Sequence, residues 1–142
     1  MRPISELLKK RDSTVYSLKP QDSVFEALRR LADHDVGAMM VIDGGRLVGV
    51  FSERDYTRKI ALAGKSSKDT LVKDIMTANV FTVSPQTRTK DCLALMSQKK
   101  IRHLPVVDEG KVIGMISIRD IMNDIIADHE LTISYLQHYI AS

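Results

Sequence analysis

One short motif occurs twice in this chain, and its residue types suit the binding of a nucleotide. It reads Gly49-Val50-Phe51-Ser52-Glu53-Arg54-Asp55 and again Gly114-Met115-Ile116-Ser117-Ile118-Arg119-Asp120. Each copy is expected where a strand passes into a helix, which places an arginine in the first helical turn. The helix dipole disfavours a cation there by ~0.3–1 kcal/mol, whereas an anion bound by the free N–H groups and the arginine would offset that cost. The aspartate is an acceptor that suits ribose hydroxyls, so the motif predicts a phosphate and a ribose together.

The same residues also predict a simpler structure, the capping box of a helix N-terminus. In such a box, Ser52 or Ser117 accepts a hydrogen bond from the backbone three residues on, and the acidic residue there bonds back. The box prefers Glu or Gln at the acidic position, but both copies carry the shorter Asp, Asp55 and Asp120. Capping and ligand binding both stay open as roles for this motif.

The motif belongs to a longer internal repeat with an offset of 65 residues. Self-similarity at a fixed spacing is typical of a duplicated unit, so the chain is interpreted as a tandem duplication. Identical pairs outside the motif include Val15/Val80, Pro20/Pro85, Leu28/Leu93, Val41/Val106, Asp43/Asp108, Gly45/Gly110 and Ile60/Ile125.

The residue pattern of each copy predicts the order strand, helix, strand, strand, helix. The predicted fold class is therefore α+β. Short β-branched and aromatic runs precede a proline, and apolar residues at i, i+4 and i+7 predict the first helix. A turn with glycine then joins two strands, and the second helix begins at Ser52 or Ser117. The predicted strands are 15–18, 39–42, 47–51, 80–83, 104–107 and 112–116.

The repeat divides the chain into an N-terminal helical lead (1–14), copy one (15–63), a linker with a lead-in (64–79), copy two (80–128) and a C-terminal helical tail (129–142). A copy of about 60 residues is marginal alone. We therefore expect the two copies to pack with pseudo-twofold symmetry, with a cleft between them that occurs twice.

Composition excludes several classes of protein. The 142 residues include 21 Lys and Arg against 18 Asp and Glu, and the longest apolar run, 38–42, is far below the ~20 residues of a membrane-spanning helix. The N-terminus lacks a signal-peptide pattern, and the lone Cys92 fits a reducing compartment, so a cytoplasmic location is expected. Basic residues fall in short clusters and Trp is absent, which makes nucleic acid an unlikely partner.

These features together resemble a tandem CBS-domain (cystathionine β-synthase domain) module of the stand-alone bacterial type. The resemblance runs from about Val15 to Ala127 and rests on the duplicated copies, the Ser-x-Arg-Asp motif, Arg102-His103-Leu104-Pro105-Val106-Val107-Asp108 and the lead-in Asp74-Ile75-Met76-Thr77. The resemblance implies that the chain is a regulatory sensor. Such modules bind adenosine-containing ligands in the clefts and are usually not catalytic. It also implies homodimers that stack through their helices.

The resemblance further implies which residues bind the ligand. Asp55 and Asp120 would hold ribose hydroxyls, with Ser52, Arg54, Ser117 and Arg119 near the ribose and phosphates, and Arg102 and His103 at a phosphate-contacting position. Apolar walls around the adenine would come from Val36, Gly37, Ala38, Met39, Ile101, Leu104 and Pro105, and from the leading segments at Ser13, Val15, Ala78 and Val80.

The two sites are expected to differ, because copy one has Gly37 and Ala38 where copy two has Arg102 and His103. The site with Asp120 is expected to bind the more strongly charged phosphate group.

The expected function is therefore a non-catalytic sensor of adenosine nucleotides. The ligands considered are AMP, ADP, ATP, NAD and S-adenosylmethionine; no cofactor is required, and the regulated protein partner is unknown. The alternative is a ligand-independent scaffold for dimerisation or protein interaction. An enzyme ranks last, because no general base with an activated nucleophile is recognisable.

Neither the cysteine nor the two C-terminal histidines are predicted to form a functional site. Cys92 aligns with Ala27 and is predicted to be a core residue. His129 and His138 lie nine residues apart, which does not match the ligand spacing of a zinc site, so no metal is predicted.

Overall fold

The computed structural model of the chain describes residues 2–10 and 15–141. The fold divides into two compact units, Thr14–Thr82 and Met1–Ser13 with Val83–Ser142. We call these the first-copy unit and the second-copy unit, since the first contains all of copy one and the second contains all of copy two except residues 80–82.

The elements follow the predicted order in copy one, and in copy two they follow it without the first strand. The helices are α1 (Ile4–Lys9), α2 (Val24–Asp33), α3 (Glu53–Tyr56), α4 (Val72–Ile75), α5 (Thr89–Lys99) and α6 (Ile118–Ala141), and a π-helical turn (Thr57–Ala61) follows α3. The strands are β1 (Ser17–Leu18), β2 (Ala38–Asp43), β3 (Arg46–Ser52), β4 (His103–Asp108) and β5 (Lys111–Ser117).

The first-copy unit contains a three-stranded sheet in the order β1-β2-β3. β1 pairs with β2 in parallel and β2 with β3 antiparallel. α2 begins after Ser23, whose hydroxyl accepts a hydrogen bond from the Glu26 N–H at 3.1 Å. The core of this unit is formed by buried side chains of the sheet, α2, the π-helical turn and α4, among them Leu18, Leu31, Met39, Phe51, Ile60 and Val72.

The second-copy unit contains the antiparallel hairpin β4-β5. The predicted strand at 80–83 is wrong except at its last residue: only an isolated parallel bridge joins Val83 to Val106. A proline explains the loss, because Pro105 aligns with Met40, which pairs with Ser17 in the other copy, and Pro105 has no N–H to donate to a ladder.

The two hairpins keep the repeat offset residue for residue. Met40 pairs with Val50, and Pro105 pairs with Met115. The register shifts at the equivalent place in both hairpins, between Val41 and Ile42 in one and between Val106 and Val107 in the other. Their turns use positive φ at equivalent positions, +81° at Gly45 and +78° at Gly110, a conformation that glycine adopts without steric cost.

Each unit is completed by a short lead helix that lies outside its repeat copy in the sequence. Ile4 and Leu7 of α1 are buried in the core of the second-copy unit. Val72 and Ile75 of α4, the segment read from the sequence as a lead-in to copy two, are buried in the core of the first-copy unit.

The lead segments explain why glycine recurs at positions 49 and 114. A Cβ on Gly49 would lie 2.6 Å from Met76 Sδ and 3.0 Å from the Thr77 carbonyl oxygen. A Cβ on Gly114 would lie 3.3 Å from Leu8 Cδ2. The repeated glycine therefore leaves room for a lead segment against the sheet.

α6 is one continuous helix that extends through the predicted tail. Salt bridges connect it to the N-terminal lead: Asp124 lies 3.2 Å from Arg2 and 3.6 Å from Lys10, and Arg2 also donates a hydrogen bond to Asp128. None of the helices within 2–10 and 15–141 combines the length and apolar character that crossing a membrane requires.

Candidate functional site

The Ser-x-Arg-Asp motif of copy one forms a complete capping box. Ser52 adopts an extended conformation at the end of β3, and its hydroxyl accepts a hydrogen bond from the Asp55 N–H at 3.2 Å. In return, Asp55 Oδ2 accepts from the Ser52 N–H and from its hydroxyl, each at 3.0 Å. The short Asp side chain is thus compatible with the box, although Glu and Gln are preferred there.

Asp55 has two further partners on its other oxygen. Thr77 Oγ1 donates to Oδ1 at 3.2 Å, and the Lys59 ammonium lies 3.2 Å from the same atom. Lys59 also donates to the Ile75 carbonyl at 2.8 Å. The carboxylate therefore joins the start of α3 to the π-helical turn and to the lead segment.

The motif of copy two makes the same reciprocal bonds. The Ser117 N–H donates to Asp120 Oδ2 at 2.8 Å, and the Asp120 N–H donates to the Ser117 hydroxyl at 3.1 Å. Asp120 is half-buried, whereas Asp55 is 9% exposed. The carboxylate of copy two therefore has more surface in contact with solvent.

Arg102 and His103 lie beside this second motif. His103 pairs with Ser117 across the β4-β5 hairpin, and the Arg102 carbonyl accepts a hydrogen bond from the Ile118 N–H at 2.9 Å. The hairpin thus brings both predicted phosphate-contacting residues to the helix start that carries Asp120. In copy one, the Gly37 carbonyl makes the equivalent bond to the Glu53 N–H at 3.0 Å.

Burial lowers the pKa of the His103 imidazole below its ordinary value of 6.5. The negative charge of Asp120 acts in the opposite direction, and the positive charge of Arg102 lowers the pKa further. The ring is therefore neutral at pH 7, which leaves Arg102 as the permanent cation of the pair.

The two motif arginines are accessible to a ligand. Arg54 and Arg119 are both exposed, each in the first turn of its helix. Their guanidinium groups are thus at the surface of the units, where an anion can reach them.

The predicted adenine walls fall into two groups by burial. Ala38, Met39, Leu104 and Pro105 are buried, and Met39 and Leu104 belong to the hydrophobic cores. Little of their surface remains for a ligand. Residues that keep exposed or partly exposed surface are Val15, Val36, Gly37, Ala78, Val80 and Ile101. Ala78 and Val80 fall in the first-copy unit, and Ser13 lies outside the described residues.

Sequence reasoning missed the residues that surround Asp55. Lys59 follows Asp55 by four positions, a spacing at which opposite charges interact on a helix, so this partner was detectable from the sequence. Thr77 had no comparable signal, because its contact depends on where α4 packs. In copy two, Asp124 aligns with Lys59 and pairs with the N-terminal lead instead of with the motif.

Other chemistry-bearing residues form no site of their own. Burial raises the pKa of the Cys92 thiol to about 11, so the thiolate that would act as a nucleophile or ligand is scarce near neutral pH. Within the described parts of the chain, His, Cys, Asp and Glu form no group of three or more that could hold a metal ion.

Comparison with known proteins gives a consistent family assignment. The family model of the CBS domain matches twice, at residues 4–62 and 72–127. CBS domain-containing protein CBSX3, mitochondrial, of Arabidopsis thaliana is 40% identical over 124 residues, 84% of this chain and 60% of the relative. The chain thus spans less than two thirds of that plant protein, and the similarity extends beyond bacteria.

Solved structures share the fold. A protein with CBS domains from Burkholderia ambifaria is 43% identical with a TM-score of 0.86, covering 89% of this chain and 95% of that one. The CBS domain pair of protein MJ0100, solved with 5′-methylthioadenosine and S-adenosyl-L-methionine, has a TM-score of 0.78 at 23% identity, covering 90% and 98%. At that identity the second likeness concerns the fold alone.

Proposed function

Because the chain belongs to the CBS-domain family, we propose that it is a non-catalytic regulatory module that binds an adenosine-containing ligand at its Ser-x-Arg-Asp helix starts. Tandem CBS domains are commonly regulatory modules that bind nucleotides. Ligand binding would shift the population of this chain's conformations, and the regulated partner would respond to that shift.

The observation that carries this proposal is the cluster at the start of α6. Asp120 is positioned by the Ser117 hydroxyl and N–H, and the hairpin register brings Arg102 and His103 to the same place. An acceptor carboxylate for ribose hydroxyls, a cation for phosphate (Arg102) and a neutral imidazole are thus adjacent within one unit. Arginine suits the phosphate role, because its planar group can bond two phosphate oxygens at once.

The ligand class follows from this chemistry and from the fold neighbour. The CBS domain pair of MJ0100 holds two adenosine derivatives, one of them S-adenosyl-L-methionine. The candidates for this chain are AMP, ADP, ATP, NAD and S-adenosylmethionine. With Arg102 beside Asp120, we favour a ligand with phosphate at the second-copy site.

A thermal-shift series tests the proposal. A ligand present at a hundredfold excess over its Kd stabilises the folded state by about 2.7 kcal/mol, so at least one of the five candidates should raise the midpoint clearly. Guanosine and cytidine nucleotides at the same concentrations serve as controls. If all five candidates leave the midpoint unchanged, the chain is not an adenosine sensor.

A second candidate function, an interaction scaffold, is favoured by the exposed apolar face of α6. Ile126, Ile133 and Leu136 are each at least half exposed, and apolar side chains at such helical spacing are typical of a surface that packs against a partner. We propose that this face forms a homodimer. A stable dimer that binds none of the candidate ligands would favour the scaffold over the sensor.

A further inference from the structure

We propose that the first-copy site is closed in the ligand-free chain by its own Lys59, which occupies the Asp55 oxygen that a ribose would need. The inference rests on the proposed function, since it concerns how that site is regulated. It makes Lys59 an internal competitor of the ligand.

Both carboxylate oxygens of Asp55 have partners in the ligand-free chain. An ionised carboxylate offers about four lone-pair sites. Ser52 uses two of them on Oδ2, through its N–H and its hydroxyl at 3.0 Å each. Thr77 Oγ1 donates to Oδ1 at 3.2 Å, and the Lys59 ammonium forms an ion pair with the same oxygen at 3.2 Å. A ribose hydroxyl must therefore displace one of these donors before it can bind.

The donors differ in how easily they leave. The two Ser52 groups belong to the capping box, and their loss would open the start of α3. Thr77 is fixed by its backbone, which exchanges two hydrogen bonds with Val50 at 3.0 and 2.9 Å. Lys59 is held only through its ammonium, and its side chain is 44% exposed. Rotation of this side chain into water would free one acceptor position without moving the backbone.

A second contact keeps Lys59 in place when the ligand is absent. Its ammonium donates to the Ile75 carbonyl at 2.8 Å, which ties it to the lead segment. The closed arrangement thus has two anchors, one on the site carboxylate and one on α4.

The second copy carries a residue of opposite charge at the position of Lys59. Asp124 aligns with Lys59, and a carboxylate cannot donate to Asp120. It is instead paired with Arg2 and Lys10 of the N-terminal lead. Lys59 is therefore a feature of the first-copy site alone among the two aligned positions, and we expect the second-copy site, which also has Arg102 at its helix start, to fill first.

Titration calorimetry with AMP, ADP, ATP, NAD and S-adenosylmethionine tests the inference on the full chain. For the ligand that binds, the wild type should take up one equivalent at low concentration, and Asp120→Asn should remove it. Lys59→Met should tighten the first-copy site by about tenfold or more, the scale set by losing one hydrogen bond to a charged group. A second equivalent then appears in the same concentration range, and adding Asp55→Asn to Lys59→Met should remove it.

The matched control is Arg58→Met. It removes the same charge from the neighbouring exposed position, where the side chain does not contact Asp55, so the stoichiometry should stay at one. Bulk electrostatics makes the opposite prediction, because losing a cation weakens the binding of a phosphate. Tighter binding in Lys59→Met but not in Arg58→Met would therefore distinguish competition by Lys59 from a general effect of charge. Lys59→Gln provides a second variant if the methionine variant fails to fold.

Two results would overturn the inference while leaving the proposed function intact. One is a wild type that binds two equivalents with equal affinity. The other is a folded Lys59→Met or Lys59→Gln chain whose first-copy site is no tighter than before. If neither the wild type nor the variants bind any of the five ligands, the proposed function itself fails and the inference fails with it.

Discussion

His103 is a residue through which pH just below neutrality should act on the stability of this protein. Its pKa is lowered by burial, with the charge of Asp120 opposing and that of Arg102 adding to the shift. The unfolded chain therefore binds the proton more readily than the folded chain, so stability rises with pH across the window between the lowered pKa and 6.5. Below that window the stabilisation from the neutral ring is lost.

We accordingly expect His103→Gln to flatten the dependence of the thermal midpoint on pH. The wild type should lose stability from about pH 7 downward, and the variant should lose less over the same interval. Midpoints measured by circular dichroism in matched buffers make the comparison. Parallel curves for the two proteins would show that His103 titrates alike in the folded and unfolded chains.

At the level of the elements, the fit between lead segments and hairpins should appear in glycine variants. Gly49→Ala places a methyl group against Met76 and the Thr77 carbonyl, so it should cost about 1–3 kcal/mol of unfolding free energy, the range for overpacking. The obstacle includes backbone, which cannot rotate away.

The matched variant Gly114→Ala meets only Leu8 Cδ2 at 3.3 Å, the end of a side chain that can shift. It should therefore destabilise less than Gly49→Ala. Urea denaturation of both variants, followed by circular dichroism, gives the comparison. Equal losses, or a larger loss for Gly114→Ala, would show that the α4 segment does not press on β3 as described.

The exposed face of α6 supports a prediction about assembly. Ile133 and Leu136 are 54% and 57% exposed. Burying them against a second chain of the same protein would contribute favourable hydrophobic free energy. Ile133→Asp should therefore shift the chain from dimer to monomer in sedimentation velocity.

His138→Asp is the control for that experiment, because it adds a negative charge at an exposed polar position on the opposite face of the same helix. It should leave the dimer intact. An unchanged dimer in Ile133→Asp would place the association surface elsewhere on the chain.

At the scale of the whole molecule, the sequence predicted what is local and repeated. The hairpins and the helix starts at Ser52 and Ser117 were found within one or two residues, because alternating apolar residues, turn glycines and caps are short-range signals. The tandem organisation and the fold family followed from the 65-residue offset and the paired motifs.

The sequence could not predict features that depend on packing between distant segments. The strand expected at 80–83 is reduced to one bridge, because its neighbour carries Pro105. The segment around Ile75 packs within the first-copy unit, and so Thr77 reaches Asp55 from 22 residues away. The burial of Met39 and Leu104 was likewise invisible, since both strand and ligand wall call for apolar residues.

The central claim is that a nucleotide binds at the start of α6 through Asp120. Titration calorimetry of the wild type and Asp120→Asn with AMP, ADP, ATP, NAD and S-adenosylmethionine tests it most directly. The account predicts saturable heat with at least one ligand in the wild type and a loss of affinity of tenfold or more in the variant, the scale of one hydrogen bond to a charged group. Equal binding by both proteins, or binding by neither, would contradict it.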